Sequence, residues 1–365
     1  MYLLLFLTPL FTCALTTKPI TIPTASGVAL AYERFQDVTS PVVRTPLLES
    51  PLVNQQLNCQ LLVKAECLQR TGSFKFRGAL NRLMTLDKDS AARGVVAFSS
   101  GNFGQALAAA ATSLDIPCCI VSPHDAPTIK LERIKQFGAN LVLSTASKDQ
   151  NREIVASSLA QTISKEKGMT LLHPFEDVEV VHGQGTVGME LVDQSKALIG
   201  TSPDTIIVPC GGGGLTAGIN LAVEEHQESC NVYSIEPKGF DDHAQSFRAG
   251  ERMTLAEIYP PGVSTEDRSV YCDALMAGAP GVKTWEINQP RLAGALESTG
   301  DESAARAMKF AFDHYRLVLE PSGALALAAV LDKQIPVEGK SIVVVCSGGN
   351  TDMNTFAKLM GCTGV

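Results

Sequence analysis

Short apolar runs alternate with segments of helical periodicity from about residue 60 onward. The apolar runs are continuous, which is typical of parallel strands that helices cover on both faces. The predicted strands are 94–99, 117–122, 140–144, 204–210, 231–236, 317–320 and 341–347. The predicted helices are 104–114, 128–137, 150–167, 186–196, 214–227, 302–314 and 323–332. The pattern therefore predicts an α/β protein with mostly parallel sheets, whose ligands bind beyond the carboxyl ends of the strands.

Composition and charge narrow the class of protein. The chain of 365 residues has room for two domains, and its 45% hydrophobic and 19% charged residues are typical of a globular protein. The net charge of −8 argues against a nucleic-acid partner, which would require a basic face. The ten cysteines are scattered without a C-x-x-C motif, which favours reduced core cysteines in a reducing compartment.

The first 15 residues are strongly apolar. This run is short for a transmembrane helix and lacks the basic start of a signal peptide. We treat residues 1–19 as an N-terminal extension outside the fold and leave open a secretory or organellar signal. For the folded part we predict a cytoplasmic protein without membrane association.

One lysine stands where a strand gives way to a helix. Residues 61–66 predict a short strand, and Lys75 then falls in the first turn of a helix with Ser73 as its predicted N-cap. The helix dipole and burial against Phe74 and Phe76 would favour the neutral amine. A neutral amine is what Schiff-base chemistry and proton abstraction require. The alternative is a solvated lysine on an amphipathic helix.

A polar turn follows the predicted strand 94–99. Ser99, Ser100, Gly101 and Asn102 place two hydroxyls, an amide and free N–H groups at a helix N-terminus, where a carboxylate can bind. The alternative is a serine that only caps the helix.

Four consecutive glycines follow the predicted strand 204–210. The N–H groups of Gly211, Gly212, Gly213 and Gly214 can turn towards one anion at the start of the next helix, and a phosphate is the usual guest. A plain turn needs only one or two glycines. The run therefore predicts a phosphate-binding loop.

Glu236 ends the following strand and supports two different interpretations. After Gly212, Gly214 and Gly218 it completes a pattern similar to a dinucleotide fingerprint, so an NAD(P)-dependent dehydrogenase is a rival function. With Asp242 and a backbone carbonyl between them, Glu236 would suit Mg²⁺, Mn²⁺ or Ca²⁺. Acidic residues beside a turn are also often solvated or capping.

Two further polar groups stand at strand ends. Ser347 follows the last strand, where its hydroxyl can bond a ligand ring nitrogen without charging it; the alternative is a capping serine before a glycine turn. Glu320 ends the preceding predicted strand and would line the same crevice. No H-E-x-x-H and no G-x-S-x-G motif occurs, so zinc and serine hydrolases lack support.

Taken together, these motifs resemble the pyridoxal-phosphate-dependent serine/threonine dehydratases and serine racemases, which have the tryptophan synthase β-like fold (fold type II). The matching motifs are T-G-S-F-K-x-R-G-A at 71–79, S-S-G-N at 99–102, G-G-G-G at 211–214, E-P-S-G at 320–323 and S-G-G-N at 347–350. The resemblance covers about residues 25–360. It implies two three-layer α/β domains: a large cofactor-binding domain at 20–93 and 173–362, and a small mobile domain at 94–172.

The resemblance implies a role for each matching residue. Lys75 would hold pyridoxal 5′-phosphate covalently and then remove the substrate α-proton. The other cofactor contacts would be Phe74 beside the ring, Asn102 at the phenolic oxygen, Gly211 to Gly214 at the phosphate and Ser347 at the ring nitrogen. Ser99, Ser100, Gly101 and Asn102 would bind the substrate carboxylate. Glu236, Asp242 and the Phe240 carbonyl would match the divalent-cation site of racemase-like members.

The resemblance also implies the reaction. A homodimer would eliminate the β-hydroxyl of L-threonine or L-serine as water, and hydrolysis of the product would give 2-oxobutyrate or pyruvate and ammonia. Serine racemase activity is an alternative, because Ser100 matches the serine that reprotonates the α-carbon in racemases. 3-Hydroxyaspartate is another candidate substrate. Phe103 stands where the family usually has a histidine after S-G-N, and this departure alters the turn that faces the substrate. A non-catalytic binding protein is disfavoured because the amine, phosphate loop and ring partner are all present.

Overall fold

The computed structural model describes residues 21–126, 128–147 and 152–361. The predicted N-terminal extension 1–19 lies outside the described residues. The strands are β1 Leu47–Glu49, β2 Gln60–Lys64, β3 Val95–Phe98, β4 Cys118–Pro123, β5 Asn140–Ser144, β6 Thr170–Leu171, β7 Thr205–Pro209, β8 Asn231–Glu236, β9 Gly294–Glu297 and β10 Ser341–Val345.

The helices cover the faces of the sheets. They are α1 Ala25–Arg34, α2 Pro51–Leu57, α3 Lys75–Met84, α4 Lys88–Arg93, α5 Asn102–Ser113, α6 Thr128–Gln136, α7 Arg152–Lys167, α8 Val178–Ile199, α9 Gly214–Glu225, α10 Asp242–Ala249, α11 Leu255–Ile258, α12 Val282–Asn288, α13 Asp301–Tyr315, α14 Pro321–Leu331 and α15 Met353–Leu359. Among the residues that the structure describes, no helix is both long and apolar enough to cross a membrane.

The strands form two sheets. The larger sheet has the order β1-β2-β10-β7-β8-β9, and every neighbouring pair in it is parallel except β1 with β2. The smaller sheet has the order β5-β4-β3-β6 and is fully parallel. The fold is therefore α/β with mostly parallel sheets, as the pattern of apolar runs predicts. Which segments move together stays a prediction.

The predicted strand 317–320 is wrong. The segment is extended and buries alternate side chains, with Leu317 and Leu319 in the core and Val318 exposed, but it pairs with no strand among the described residues. Packing against the core produces this alternation without a hydrogen-bonded ladder. The sequence pattern also missed β9, which pairs with β8 and is one of the two outer strands of the large sheet.

Helix α8 is longer than predicted, because glycines at its start lie inside the helix. A Cβ on Gly185 would lie 2.7 Å from the Gly218 carbonyl oxygen of α9, and a Cβ on Gly183 would lie 2.5 Å from the Arg77 carbonyl oxygen of α3. These glycines allow three helices to approach closely at the centre of the molecule. They serve helix packing, although glycine normally weakens a helix.

A buried ion cluster joins α3 to both β2 and α8. The Arg77 guanidinium donates to Glu66 through Nε at 2.9 Å and Nη2 at 2.8 Å, and to Glu190 through Nη1 at 2.7 Å and Nη2 at 2.8 Å. Lys64 donates to Glu190 Oε2 at 2.7 Å. Burial would lower the pKa of Arg77, but the two carboxylates hold it above its usual value. The cluster pairs two cations with two anions, so no buried charge is left alone.

We expect Arg77→Ala to lower the free energy of unfolding by about 3–5 kcal/mol, because it leaves the buried Glu66 without a cation and Glu190 with Lys64 alone. Arg82→Ala is the matched control on the same helix. Arg82 pairs with Asp177 at 2.8 Å but is partly exposed, so its loss should cost below about 1 kcal/mol. Urea unfolding of both variants measures the difference, and equal costs would contradict the importance of the buried cluster.

Candidate active site

A cleft of about 530 Å³ lies at the carboxyl ends of strands from both sheets. Its walls bring together all the residues predicted to bind cofactor or substrate: Phe74, Lys75, Ser99, Ser100, Gly101, Asn102, Gly211, Gly212, Gly213, Gly214 and Ser347. Phe103, Glu320 and His173 also line it. The predicted metal ligands Glu236, Phe240 and Asp242 are not part of its wall.

Lys75 is the first residue of α3 and lies in the cleft wall. Its Nζ donates to the Pro174 carbonyl oxygen at 3.3 Å and lies 5.0 Å from the centre of the Phe74 ring and 6.0 Å from that of Phe103. Among the described residues, no carboxylate forms an ion pair with the amine. Burial therefore lowers the pKa of Lys75 to about 8, which makes the neutral amine accessible near neutral pH.

The predicted capping role of Ser73 is wrong. Phe74 precedes the helix, no side chain caps its first turn, and the Ser73 hydroxyl is buried without a hydrogen-bond partner in the described structure. The backbone is instead held by the last strand. Ser73 forms a β-bridge with Gly348, and the Phe74 N–H donates to the Ser347 carbonyl oxygen at 3.2 Å. This pairing places Lys75 beside Ser347.

The glycine loop opens α9 at the floor of the cleft. Within the described residues, the N–H groups of Gly212, Gly213 and Gly214 donate to no other group. The carbonyl oxygen of Gly212 accepts from Thr284 Oγ1 at 2.7 Å, which fixes the loop from behind. Gly213 has φ +86°, a conformation that strongly favours glycine. Free N–H groups at a positive helix end fit a bound phosphate.

In the turn at 99–102, one polar side chain stabilises the following helix, and the other polar groups face the cleft. The Ser99 hydroxyl accepts from the N–H groups of Gly101 at 3.3 Å and Gly104 at 3.0 Å, so its side chain caps α5. The Ser100 hydroxyl has no hydrogen-bond partner in the described part of the chain, and a Cβ on Gly101 would meet only open space. Ser100 and the turn backbone are thus the groups free to meet a ligand.

A network of hydrogen bonds, which the sequence analysis did not predict, holds the side chain of Asn102. Its Nδ2 donates to Glu320 Oε1 at 2.6 Å, and its Oδ1 accepts from Asn350 Nδ2 at 2.8 Å. Arg133 of α6 donates to Asn350 Oδ1 at 3.2 Å. Burial, reinforced by Asp273, raises the pKa of Glu320 to about 8. The E-P-S-G and S-G-G-N motifs, which contain Glu320 and Asn350, could have indicated this network, because both motifs end near the crevice.

Two further features of the cleft were missed. The His173 imidazole forms T-shaped contacts with the Phe98 and Phe175 rings. Burial lowers the pKa of His173, which favours the neutral imidazole. Lys130 of α6 forms an ion pair with Asp273, which lies after β8 on the other side of the cleft. No sequence motif marks either feature, because their partners are distant along the chain.

The acidic residues after β8 lie behind the glycine loop. Glu236 is fully buried. Its two carboxylate oxygens accept hydrogen bonds from the backbone N–H groups of His243 at 2.9 Å and Ala244 at 2.8 Å. Because Glu236 is fully buried and does not line the cleft, a ribose cannot reach its carboxylate, so the dinucleotide interpretation is wrong. The Asp242 carboxylate lies nearby, because one oxygen from each acid is 3.6 Å from His243 Nδ1. Burial raises the pKa of both acids, that of Glu236 to about 7.

This imidazole changes the predicted metal site. Mg²⁺ prefers oxygen ligands and keeps several waters. Here a histidine ring lies between the two carboxylates, and Cys210 lies beside them. The residues therefore do not form the oxygen-only set predicted from Glu236, Phe240 and Asp242, and this mixed set of nitrogen, sulfur and oxygen atoms does not fit Mg²⁺.

Comparisons with known proteins agree with this geometry. A family model described as "Pyridoxal-phosphate dependent enzyme" matches residues 38–348. A serine racemase from Oryza sativa subsp. indica is 37% identical over 320 residues, which are 86% of this chain and 88% of the relative. An L-threo-3-hydroxyaspartate ammonia-lyase from Saccharomyces cerevisiae is 32% identical, covering 93% of this chain and 97% of the relative.

A solved structure has a similar fold. The processed form of threonine deaminase isoform 2 from Solanum lycopersicum superposes with a TM-score of 0.79 at 27% identity, covering 95% of this chain and 97% of that chain. The residues of the cleft fit the cofactor of the family. The free N–H groups of the glycine loop suit its phosphate, and Lys75 offers an amine of lowered pKa to its aldehyde.

The lowered pKa of Lys75 predicts how cofactor-depleted enzyme takes up pyridoxal 5′-phosphate. Covalent attachment requires the neutral amine, so its rate should rise about tenfold per pH unit below pH 7 and level off above about pH 9. Stopped-flow absorbance follows the attachment, with Lys75→Ala as the blank. A rate that keeps rising beyond pH 10 would show an ordinary solvated lysine.

The raised pKa of Glu320 predicts a pH-dependent stability. Between pH 4.5 and about 8 the folded protein holds a proton that the unfolded chain has lost, so folding loses stability as the pH rises through this window. Glu320→Gln keeps an acceptor for Asn102 but cannot ionise. The difference in melting temperature between this variant and the wild type should therefore increase in favour of the variant from pH 5 to pH 8. Above pH 8 the difference should stay constant. The exposed Glu166→Gln serves as control, and parallel curves for Glu320→Gln and the wild type would contradict the assignment.

Proposed function

Because the chain belongs to the family of pyridoxal-phosphate-dependent enzymes, we propose that it deaminates L-threonine, L-serine or both, by elimination of water followed by hydrolysis of the enamine product. The products are 2-oxobutyrate or pyruvate and ammonia. The observation that carries the proposal is the Lys75 amine, which lies in the cleft with its pKa lowered to about 8. A base of this pKa can take a proton near neutral pH.

The cofactor supplies an electron sink for the charge that develops at the α-carbon of the substrate. The chain provides the positions around it. The N–H groups of the glycine loop suit the phosphate, and the hydroxyl of Ser347 suits the ring nitrogen, which a serine leaves without full positive charge. With Ser347 at the ring nitrogen, the bound cofactor would hold less of the developing negative charge, which would favour departure of the β-hydroxyl.

The polar turn at the start of α5 is suited to the substrate carboxylate. The Ser99 side chain already caps the helix, so the Ser100 hydroxyl and the N–H groups of Ser100 and Asn102 are the available donors. Across the cleft, Lys75 Nζ takes the α-proton. The β-hydroxyl leaves as water once protonated, and hydrolysis of the enamine product releases ammonia and the 2-oxo acid.

Racemisation is the second candidate activity, and the free hydroxyl of Ser100 favours it. Ser100 lines the same cleft as Lys75 and has no hydrogen-bond partner among the described residues. A second proton donor in the cleft could return a proton to the α-carbon. The rice relative, at 37% identity, is itself a serine racemase.

3-Hydroxyaspartate is the third candidate substrate. Lys130 and Arg152 line the cleft and could meet a second carboxylate. Both are already paired, Lys130 with Asp273 and Arg152 with Asp125 at 3.0 Å. The Phe103 ring, which is buried close to Lys75, adds an apolar wall instead of a cation. These contacts favour serine and threonine.

We also propose that the enzyme is a cytoplasmic homodimer whose smaller sheet and its helices, at about 94–172, move against the rest. The contacts of α6 across the cleft, from Lys130 to Asp273 and from Arg133 to Asn350, would have to break when the cleft opens. Light scattering of the purified protein measures the oligomeric state.

Release of 2-oxo acid from L-serine, L-threonine and L-threo-3-hydroxyaspartate, with chiral analysis of the remaining substrate, tests these candidates. We expect elimination from serine or threonine, and a loss of about 10²–10⁴-fold or more in Lys75→Ala, which lacks the base. Ser100→Ala should lose racemisation while keeping measurable elimination. Activity on none of the three substrates by the yellow, cofactor-loaded protein would overturn the proposal.

A further inference from the structure

Three metal-ligating side chains lie together behind the glycine loop. Cys210 directly precedes that loop, Glu236 ends β8, and His243 lies in the first turn of α10. One ligand atom from each residue lies within 4.8 Å of the other two, and all three residues are buried. Strands β7 and β8 are parallel neighbours, and the Cys210 N–H donates to the Ile235 carbonyl oxygen at 2.8 Å, which holds Cys210 beside Glu236.

The protein leaves polar atoms around this cluster without partners. Both ring nitrogens of His243 and both carboxylate oxygens of Asp242 are buried and have no hydrogen-bond partner in the described structure. An unsatisfied buried polar group costs about 1–3 kcal/mol, and four such atoms at one place indicate a missing partner.

The spacing of these atoms suits an ion better than a hydrogen bond. His243 Nδ1 lies 3.6 Å from Glu236 Oε1 and 3.6 Å from Asp242 Oδ2, too far for a good hydrogen bond. Two ligands of one tetrahedral ion, each bonded at about 2.0–2.3 Å, lie about 3.3–3.8 Å apart. The separation of Glu236 and His243 matches one edge of such a tetrahedron, and the Cys210 ligand atom lies within 4.8 Å of both.

We propose that Cys210, Glu236 and His243 bind one Zn²⁺ ion behind the phosphate-binding loop. A thiolate, an imidazole nitrogen and a carboxylate oxygen are the ligand types of zinc, whereas Mg²⁺ and Ca²⁺ take oxygen alone. Binding forms one Zn–S, one Zn–N and one Zn–O bond, and the thiol proton leaves to solvent. The Asp242 carboxylate beside the imidazole contributes negative charge to the site.

The position of the site links it to the cofactor loop. A Cβ on Gly213 would lie 2.6 Å from His243 Nε2, so the imidazole packs directly against the loop backbone. An ion held there adds positive charge beneath the cradle for the phosphate. Removal of the ion should therefore increase the rate at which the holoenzyme loses pyridoxal 5′-phosphate.

Elemental analysis and zinc-edge X-ray absorption of the full-length holoenzyme test the site. We expect one zinc per chain, with one sulfur neighbour at about 2.3 Å and nitrogen or oxygen neighbours at about 2.0–2.2 Å. These measurements need no variant and do not depend on the substrate. Cofactor content, read from absorbance, is a separate result, so a failure of this site is distinguishable from a failure of the proposed function.

Variants locate the ion. Cys210→Ser should abolish the sulfur neighbour, and Cys210→Ser and His243→Ala should each weaken zinc binding by at least about 10–100-fold. Cys346→Ser is the matched control, because Cys346 is also buried and also follows the end of a strand, β10, in the same sheet. Three outcomes overturn the proposal: absence of bound zinc, zinc that both variants retain at full affinity, and selective binding of Mg²⁺ or Mn²⁺ that depends on Asp242 but not on Cys210.

Discussion

The buried Arg77 guanidinium holds together three parts of the chain. Its donors reach Glu66, which follows β2, and Glu190 of α8, while Arg77 itself belongs to α3. Bidentate pairing with two carboxylates fixes the rotation of α3 as well as its position, because the planar guanidinium donates hydrogen bonds only within its own plane. Lys75 lies two residues earlier on the same helix. The location of the amine thus depends on an ion cluster that never touches the cleft.

A second constraint acts on the other side of the lysine. The backbone of Ser73 and Phe74 pairs with the turn after β10, which also carries Ser347. The amine and the hydroxyl that flank the predicted cofactor ring are therefore positioned by one short stretch of backbone pairing. The chain Asn350–Asn102–Glu320 then ties the turn of the smaller sheet to the same region. The cleft is assembled by hydrogen bonds between strand ends instead of by contacts within one motif.

The space behind the glycine loop is filled by a defined set of side chains, just as the cleft in front of it is. The loop needs glycine at Gly213 because of its positive φ and because His243 occupies the space where a side chain would lie. The same imidazole brings Glu236, Asp242 and Cys210 into one buried group. The acidic residues that the sequence pattern assigned to a ribose or magnesium site thereby acquire sulfur and nitrogen neighbours, and the chemistry of the site changes with them.

The sequence by itself determined the class of fold and the members of the cleft. Continuous apolar runs specify parallel strands, and polar residues after such runs must meet at one edge of a sheet, so Lys75, Ser100, the glycine loop and Ser347 were predictable. Only the tertiary structure decided that 317–320 is unpaired, that Ser99 caps a helix, and that Glu320 ionises with a raised pKa. It also decided that Cys210 and His243 lie beside Glu236. Pairing, burial and the partner of a charged group depend on residues far away along the chain, and no local pattern records them.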